Sequence, residues 1–222
     1  YPSDKLLDMA RLVDADYVVM SDYPGESSMK TIEAALELGP EFHAAGFKTF
    51  FVPQAEIGNV EDALLAFDWA SYAPEVDYIG VSILTAPNMF GVEKGNNLQR
   101  FVSRWRLMTL LKDRGFFDVV MSERKKIHML GMVDGPNEIL LMKDFWLHLN
   151  SWDSSAAVWA GLNGVAFDNS PTGLINGKFE MEVDFDHNSA TIDQCSLALN
   201  NMRYIDGLIQ KLSDNRLGRV SR

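Results

Sequence analysis

Short runs of adjoining apolar residues alternate along the chain with longer stretches whose apolar positions recur every three or four residues. The runs are "DYVVMS" (16–21), "KTFFVP" (48–53), "DYIGVSI" (77–83), "KKIHMLGM" (125–132), "HLNSWDSS" (148–155) and "GVAF" (164–167). Each is short and bounded by polar or turn residues, which predicts a strand; near-continuous apolar character predicts burial on both faces. Between them lie helical patterns: "SSMKTIEAALELGPEFHAAG", where Ser27 or Ser28 can cap, "NVEDALLAFDWASYA", and "NNLQRFVSRWRLMTLLKDRG", stopped at Gly115. "GPNEILLMKDFWL" follows with Pro136 in its first turn, "PSDKLLDMARL" precedes the first run, and "TIDQCSLALNNMRYIDGLIQKL" predicts a long C-terminal helix over about 190–213.

Strand and helix alternating at this spacing means parallel βα units. Two architectures are open: a doubly wound sheet and a (β/α)₈ TIM-type barrel. "SDYPGESS" after the first strand is not a Gly-x-Gly-x-x-Gly phosphate loop, which weakens a nucleotide-binding sheet. The barrel is favoured. Six candidate strands are visible in 222 residues, where a barrel has eight in roughly 250. The expectation is therefore one domain, 1–222, built as a barrel lacking its first one or two strands, with the C-terminal helix appended.

In a barrel the chemistry sits at the C-terminal ends of the strands. Those ends carry Asp22, Gln54, Ser82, the His128–Gly131 segment and Asp153. Each has a structural alternative. Asp22 and Asp153 can cap the helices that follow them, Gln54 can bond loop backbone, and His128 can be a satisfied core histidine. Arg100, Arg104 and Arg106 are expected on a solvated helix face, and the methionines are expected as core filler. Two carboxylates on one rim suit chemistry at a sugar anomeric centre, with one as nucleophile.

Composition narrows the setting. A net charge of −11 argues against a protein that binds nucleic acid by bulk electrostatics. One cysteine, Cys195, excludes disulfides within the chain and any cysteine-rich metal cluster, which points to a reducing compartment. No apolar run approaches a membrane span.

"IHMLG" followed by "GPNEILLMKDFWLHLNSWDSSAAVWAGLNGVAF" resembles the C-terminal catalytic segment of the tRNA-guanine transglycosylases. "ADYVVMSDYPGE" is similar to that family's strand ending in a base-recognising Asp, "FFVPQAE" to its strand ending in Gln, and "YIGVSI" to its glycine-containing strand. "INGKFEMEVDFD" and "RYIDGLI" resemble its last strand and C-terminal helix. The resemblance implies that Asp153 is a nucleophile that displaces guanine and holds the ribosyl group. It implies that Asp22 and Gln54 bond the purine edge, helped by Gly80, and that Leu130 packs on the base beside Gly131. The reaction would exchange guanine in DNA or tRNA for a 7-deazaguanine, in the cytoplasm of a bacterium or a phage-infected host, without a cofactor or a metal. The family's Cys-x-Cys-x-x-Cys zinc cluster has no counterpart, and Asp206 stands near where its His would fall. "AAVWAGL" replaces an Arg-containing stretch, which removes phosphate-binding cations and points towards paralogues that act on DNA. The family's Gly-Gly-Phe-Gln segment has no counterpart either, so the first strands would come from upstream of Tyr1 or from a partner chain, and a homodimer is a further possibility. Rival readings are a non-catalytic binding subunit and a barrel hydrolase or lyase on a small substrate.

Overall fold

The computed structural model describes residues 3–132, 135–167 and 190–220. The "INGKFEMEVDFD" stretch lies outside them. The chain has an α/β fold around one parallel five-stranded sheet. Its elements are α1 (Ser3–Leu12), β1 (Tyr17–Val19), α2 (Ser28–Ala44), β2 (Lys48–Phe51), α3 (Val60–Tyr72), β3 (Tyr78–Ser82), α4 (Thr85–Met89), α5 (Asn97–Asp113), α6 (Phe116–Ser122) and β4 (Lys126–Leu130). They continue with α7 (Pro136–Leu141), a 3₁₀ turn (Met142–Phe145), β5 (Ser151–Trp152), α8 (Ala156–Leu162) and α9 (Ile192–Val220). Five of the six predicted strands form. "GVAF" does not: Val165, Ala166 and Phe167 adopt no regular structure, because α9 meets their backbone polar groups instead. The buried Asn201 accepts from the Phe167 N–H at 2.7 Å and donates to the Val165 carbonyl at 2.9 Å.

Strand order is β1-β2-β3-β4-β5, every neighbour pair parallel. The sheet therefore never reverses direction of growth, as a doubly wound sheet does at its switch point. Alternation divides its residues into two faces. Val18, Thr49, Phe51, Ile79, Val81, Ile127 and Met129 form one face, all buried. Helices supply matching stripes: Thr31, Ile32, Ala35, Gly39 and Phe42 on α2, and Ala63, Leu64, Ala66, Phe67 and Ala70 on α3. The other face carries Tyr17, Val19, Phe50, Tyr78, Gly80, Ser82, His128, Leu130 and Ser151. Phe50 stacks on Tyr78 at 5.3 Å, and Tyr17 meets Tyr78 edge-on at 5.0 Å. Val19, at the β1 edge of this face, is 49% exposed.

Contacts divide the chain into two compact units. One comprises residues 1–130 and 148–152, the other residues 131–147 and 153–222. The first contains the whole sheet. Two carboxylates tie its loops. Asp62 accepts from the Ser28 N–H, the Ser28 hydroxyl and the Glu56 N–H, joining the start of α2 to the segment after β2. Asp77 accepts from the Thr49 N–H at 2.8 Å and from His43 Nε2 at 2.8 Å, pinning the start of β2. Burial pushes both carboxyls up, but their hydrogen bonds outweigh it, so both lie below the ordinary carboxylate value.

In the second unit α8 and α9 pack backbone to backbone. A Cβ on Gly161 would sit 2.4 Å from the Ala198 nitrogen, so only glycine allows the approach. Among the described residues no helix is long and apolar enough to cross a membrane.

Candidate active site

Two of the strand ends in the first unit carry the anticipated polar residues, Asp22 and Gln54, and they are joined. Gln54, two positions beyond Val52, is 1% exposed, and a buried amide must satisfy both its ends. Its Nε2 donates to Asp22 Oδ2 at 2.6 Å, and its Oε1 accepts from the Thr85 hydroxyl at 3.1 Å. That hydroxyl also donates to the Pro53 carbonyl at 2.7 Å. A chain of hydrogen bonds thus runs from α4 through Gln54 to the half-buried Asp22. Short helix α4, hidden in sequence inside a Gly/Asn-rich loop, supplies its anchor. The capping alternative for Asp22 does not hold, because the N-cap position of α2 belongs to Ser27. Gln54 likewise bonds the side chains of Asp22 and Thr85 rather than loop backbone.

Gly80 lies in β3, where all five residues are buried. A Cβ there would come within 2.6 Å of Phe50 Cε1 and 2.8 Å of Leu130 Cδ1. Gly80 is therefore the floor between those two side chains. Beside it, His128 Nδ1 and Ser151 Oγ are 2.8 Å apart, and the Tyr78 hydroxyl bonds the same Oγ. His128 also meets Phe50 edge-on at 5.5 Å. This is the satisfied, half-buried histidine of the structural alternative, and it fixes β5 against β4 and β3.

Arg104 departs from expectation. Arg100 and Arg106 are exposed, with Arg106 stacked on Phe90 at 4.0 Å. Arg104, in contrast, is 2% exposed. Its guanidinium donates to the Leu130 carbonyl at 2.6 Å and approaches the Val81 carbonyl at 3.4 Å, at the C-terminal ends of β4 and β3. Its position was legible in the helical phase. Arg104 lies in one stripe with Leu107, Met108 and Leu111, all fully buried.

In the second unit Asp153 and Gly131 are joined directly. The Gly131 N–H donates to Asp153 Oδ1 at 3.0 Å, and the Met132 N–H donates to the Asp153 carbonyl at 2.8 Å. Gly131 has φ +63°, a left-handed conformation that glycine adopts at no side-chain cost. The Ser154 hydroxyl bonds the Met132 carbonyl and accepts from the Ala156 N–H at 3.0 Å. Ser155, not Asp153, holds the N-cap position of α8, so the helix-cap alternative fails here too. Asp153 is exposed, and its carboxylate accepts from the Gly131 N–H.

A comparison with models of known protein families finds no match, and neither does one with curated protein sequences. Function rests on the geometry. One cysteine, exposed on α9, cannot assemble a Cys₃-His zinc set.

Proposed function

We propose that the chain is a guanine transglycosylase-like pentosyltransferase that exchanges guanine in a polynucleotide for a 7-deazaguanine, with Asp153 as nucleophile. The fold proposed with it is part of a (β/α)₈ barrel. The sequential parallel order of the five strands supports that reading. The observation that carries the functional proposal is the Gln54–Asp22 pair: a fully buried amide spends one donor fixing a carboxylate that is itself only partly buried. An oriented carboxylate accepts two hydrogen bonds side by side. It thereby matches the N1–H and exocyclic amine of guanine and of a 7-deazaguanine alike. The flat, side-chain-free surface of Gly80 between Phe50 and Leu130 suits the face of a planar ring.

The chemistry balances as a double displacement. An Asp153 carboxylate oxygen attacks C1′ of the nucleotide as the C1′–N9 bond breaks, and guanine departs with the bonding pair and takes up a proton. The incoming base loses its N9 proton, its nitrogen attacks C1′, and the carboxylate is released. Holding Asp153 by the Gly131 N–H limits its freedom before attack.

Incubation of the protein with guanine-containing DNA or tRNA and a 7-deazaguanine tests the proposal. A covalent, denaturation-resistant protein–nucleic acid adduct is expected, and Asp153→Ala abolishes it. An Asp153→Ala variant that retains full exchange refutes the assignment. Binding of nucleic acid without exchange by the native chain favours the non-catalytic subunit instead.

A further inference from the structure

Tyr17, Lys48, Tyr78 and Lys126 are the first residues of β1, β2, β3 and β4, and strand pairing sets Tyr17 beside Lys48 and Tyr78 beside Lys126. Lys126 Nζ donates to the Tyr17 hydroxyl oxygen at 3.1 Å. Both ammonium groups lie 5.6 Å from the centre of the Tyr17 ring, and that of Lys126 lies 5.8 Å from the centre of Tyr78. The rings attract each cation, but the two cations repel one another. The chain has 31 acidic and 20 basic residues, so carboxylates outnumber cations. Even so, neither lysine forms an ion pair among the described residues. Asp16 acts on Lys126 through space without pairing with it.

A phenol oxygen that accepts from an ammonium still has its own proton to give. The Tyr17 hydroxyl gives it to none of the described residues. The cluster therefore offers donors and positive charge and needs an acceptor rich in oxygens. We propose that Lys48, Lys126 and the Tyr17 hydroxyl bind a phosphate dianion, free or as the terminal group of a monoester. Such a group carries three strong acceptor oxygens and close to two negative charges, and lysine meets it as a point charge. Asp22 and Gln54 follow the opposite ends of β1 and β2. The phosphate site is thus separate from the base-recognition pair and does not rest on the exchange reading.

Isothermal titration of the full chain at low ionic strength, with inorganic phosphate and with phenyl phosphate as probes, tests the proposal. Saturable one-to-one binding is expected. It weakens about 10-fold in Lys48→Met and in Lys126→Met, and about 5-fold in Tyr17→Phe, which keeps the ring and removes the donor. Asp16→Asn removes the opposing charge and tightens binding, a gain that damaged folding cannot produce. The singly charged dimethyl phosphate binds about 5-fold more weakly than inorganic phosphate. Tighter binding of phenyl phosphate assigns the site to a monoester, and tighter binding of inorganic phosphate assigns it to the free ion. Absence of saturable binding, equal affinity for dimethyl phosphate, or affinities unchanged in the lysine variants overturns the proposal.

Discussion

Gly80→Ala probes how tightly the floor of the proposed site is built. The added methyl meets Phe50 Cε1 at 2.6 Å and Leu130 Cδ1 at 2.8 Å, about 1 Å inside the separation of normal carbon contacts. Neither neighbour yields readily. The Phe50 ring is stacked on Tyr78 with planes 10° apart and abuts His128 at 5.5 Å, and β3 is buried along its whole length. Overpacking of this kind costs about 1–3 kcal/mol. Alanine returns roughly 0.5–1 kcal/mol because it loses less backbone entropy than glycine in a strand. The midpoints leave a net loss of about 1 kcal/mol, or roughly 2–4 °C in Tm for a chain of this size. Urea unfolding followed by circular dichroism measures it. Phe50→Leu removes the Cε1 atom that is struck, so in a double-mutant cycle Gly80→Ala should be milder in the Phe50→Leu background. A neutral Gly80→Ala, or a cost unchanged by Phe50→Leu, refutes the packing account.

Removing the Asp62 carboxylate, as in Asp62→Ala, strands the Ser28 N–H, the Ser28 hydroxyl and the Glu56 N–H; a loss of about 2 kcal/mol in urea unfolding is expected for a charged acceptor. Asp62 and Asp77 both have carboxyls held below the ordinary value. Their contribution is therefore complete above the ordinary carboxylate range and disappears as pH falls through their lowered folded values; thermal scans should show an acid limb that Asp62→Ala flattens. Gln54→Ala frees Asp22 and should raise KM for the incoming base more than it lowers kcat in steady-state exchange assays. Gly161→Ala forces α8 from α9 at the Ala198 backbone and should cost about 3 kcal/mol by the same unfolding assay.

The strands were legible as short, near-continuous apolar runs, and "YIGVS" and "KIHML" sit where those runs fall; burial on both faces holds along the whole of β3, whereas β4 buries only alternate residues. "GVAF" carries the same signal yet is not a strand, since apolar content cannot report that Asn201, 34 residues away, will take up the Phe167 N–H. Helix α6 was missed because Gly115 reads as a stop. With φ +74° it ends α5, and α6 begins at the next residue. At the site, Asp22, Gln54 and Asp153 could be found as polar residues directly after strands. What the pattern could not supply is their pairing. That Gln54 spends its amide on Asp22 depends on Thr85, in a helix too short to show periodicity. Arg104 was within reach: a charge in phase with Leu107, Met108 and Leu111 marks a buried cation, once the phase is weighed above the charge.

The central claim is that Asp153 forms a covalent bond to C1′ of a nucleotide. Mass spectrometry of the denatured protein, after incubation with a guanine-containing oligonucleotide and a 7-deazaguanine, tests it directly. The account predicts an added mass equal to the oligonucleotide less one guanine, mapped to the peptide containing Asp153 and absent in Asp153→Ala. The same added mass in Asp153→Ala, or its attachment to another residue, would contradict it.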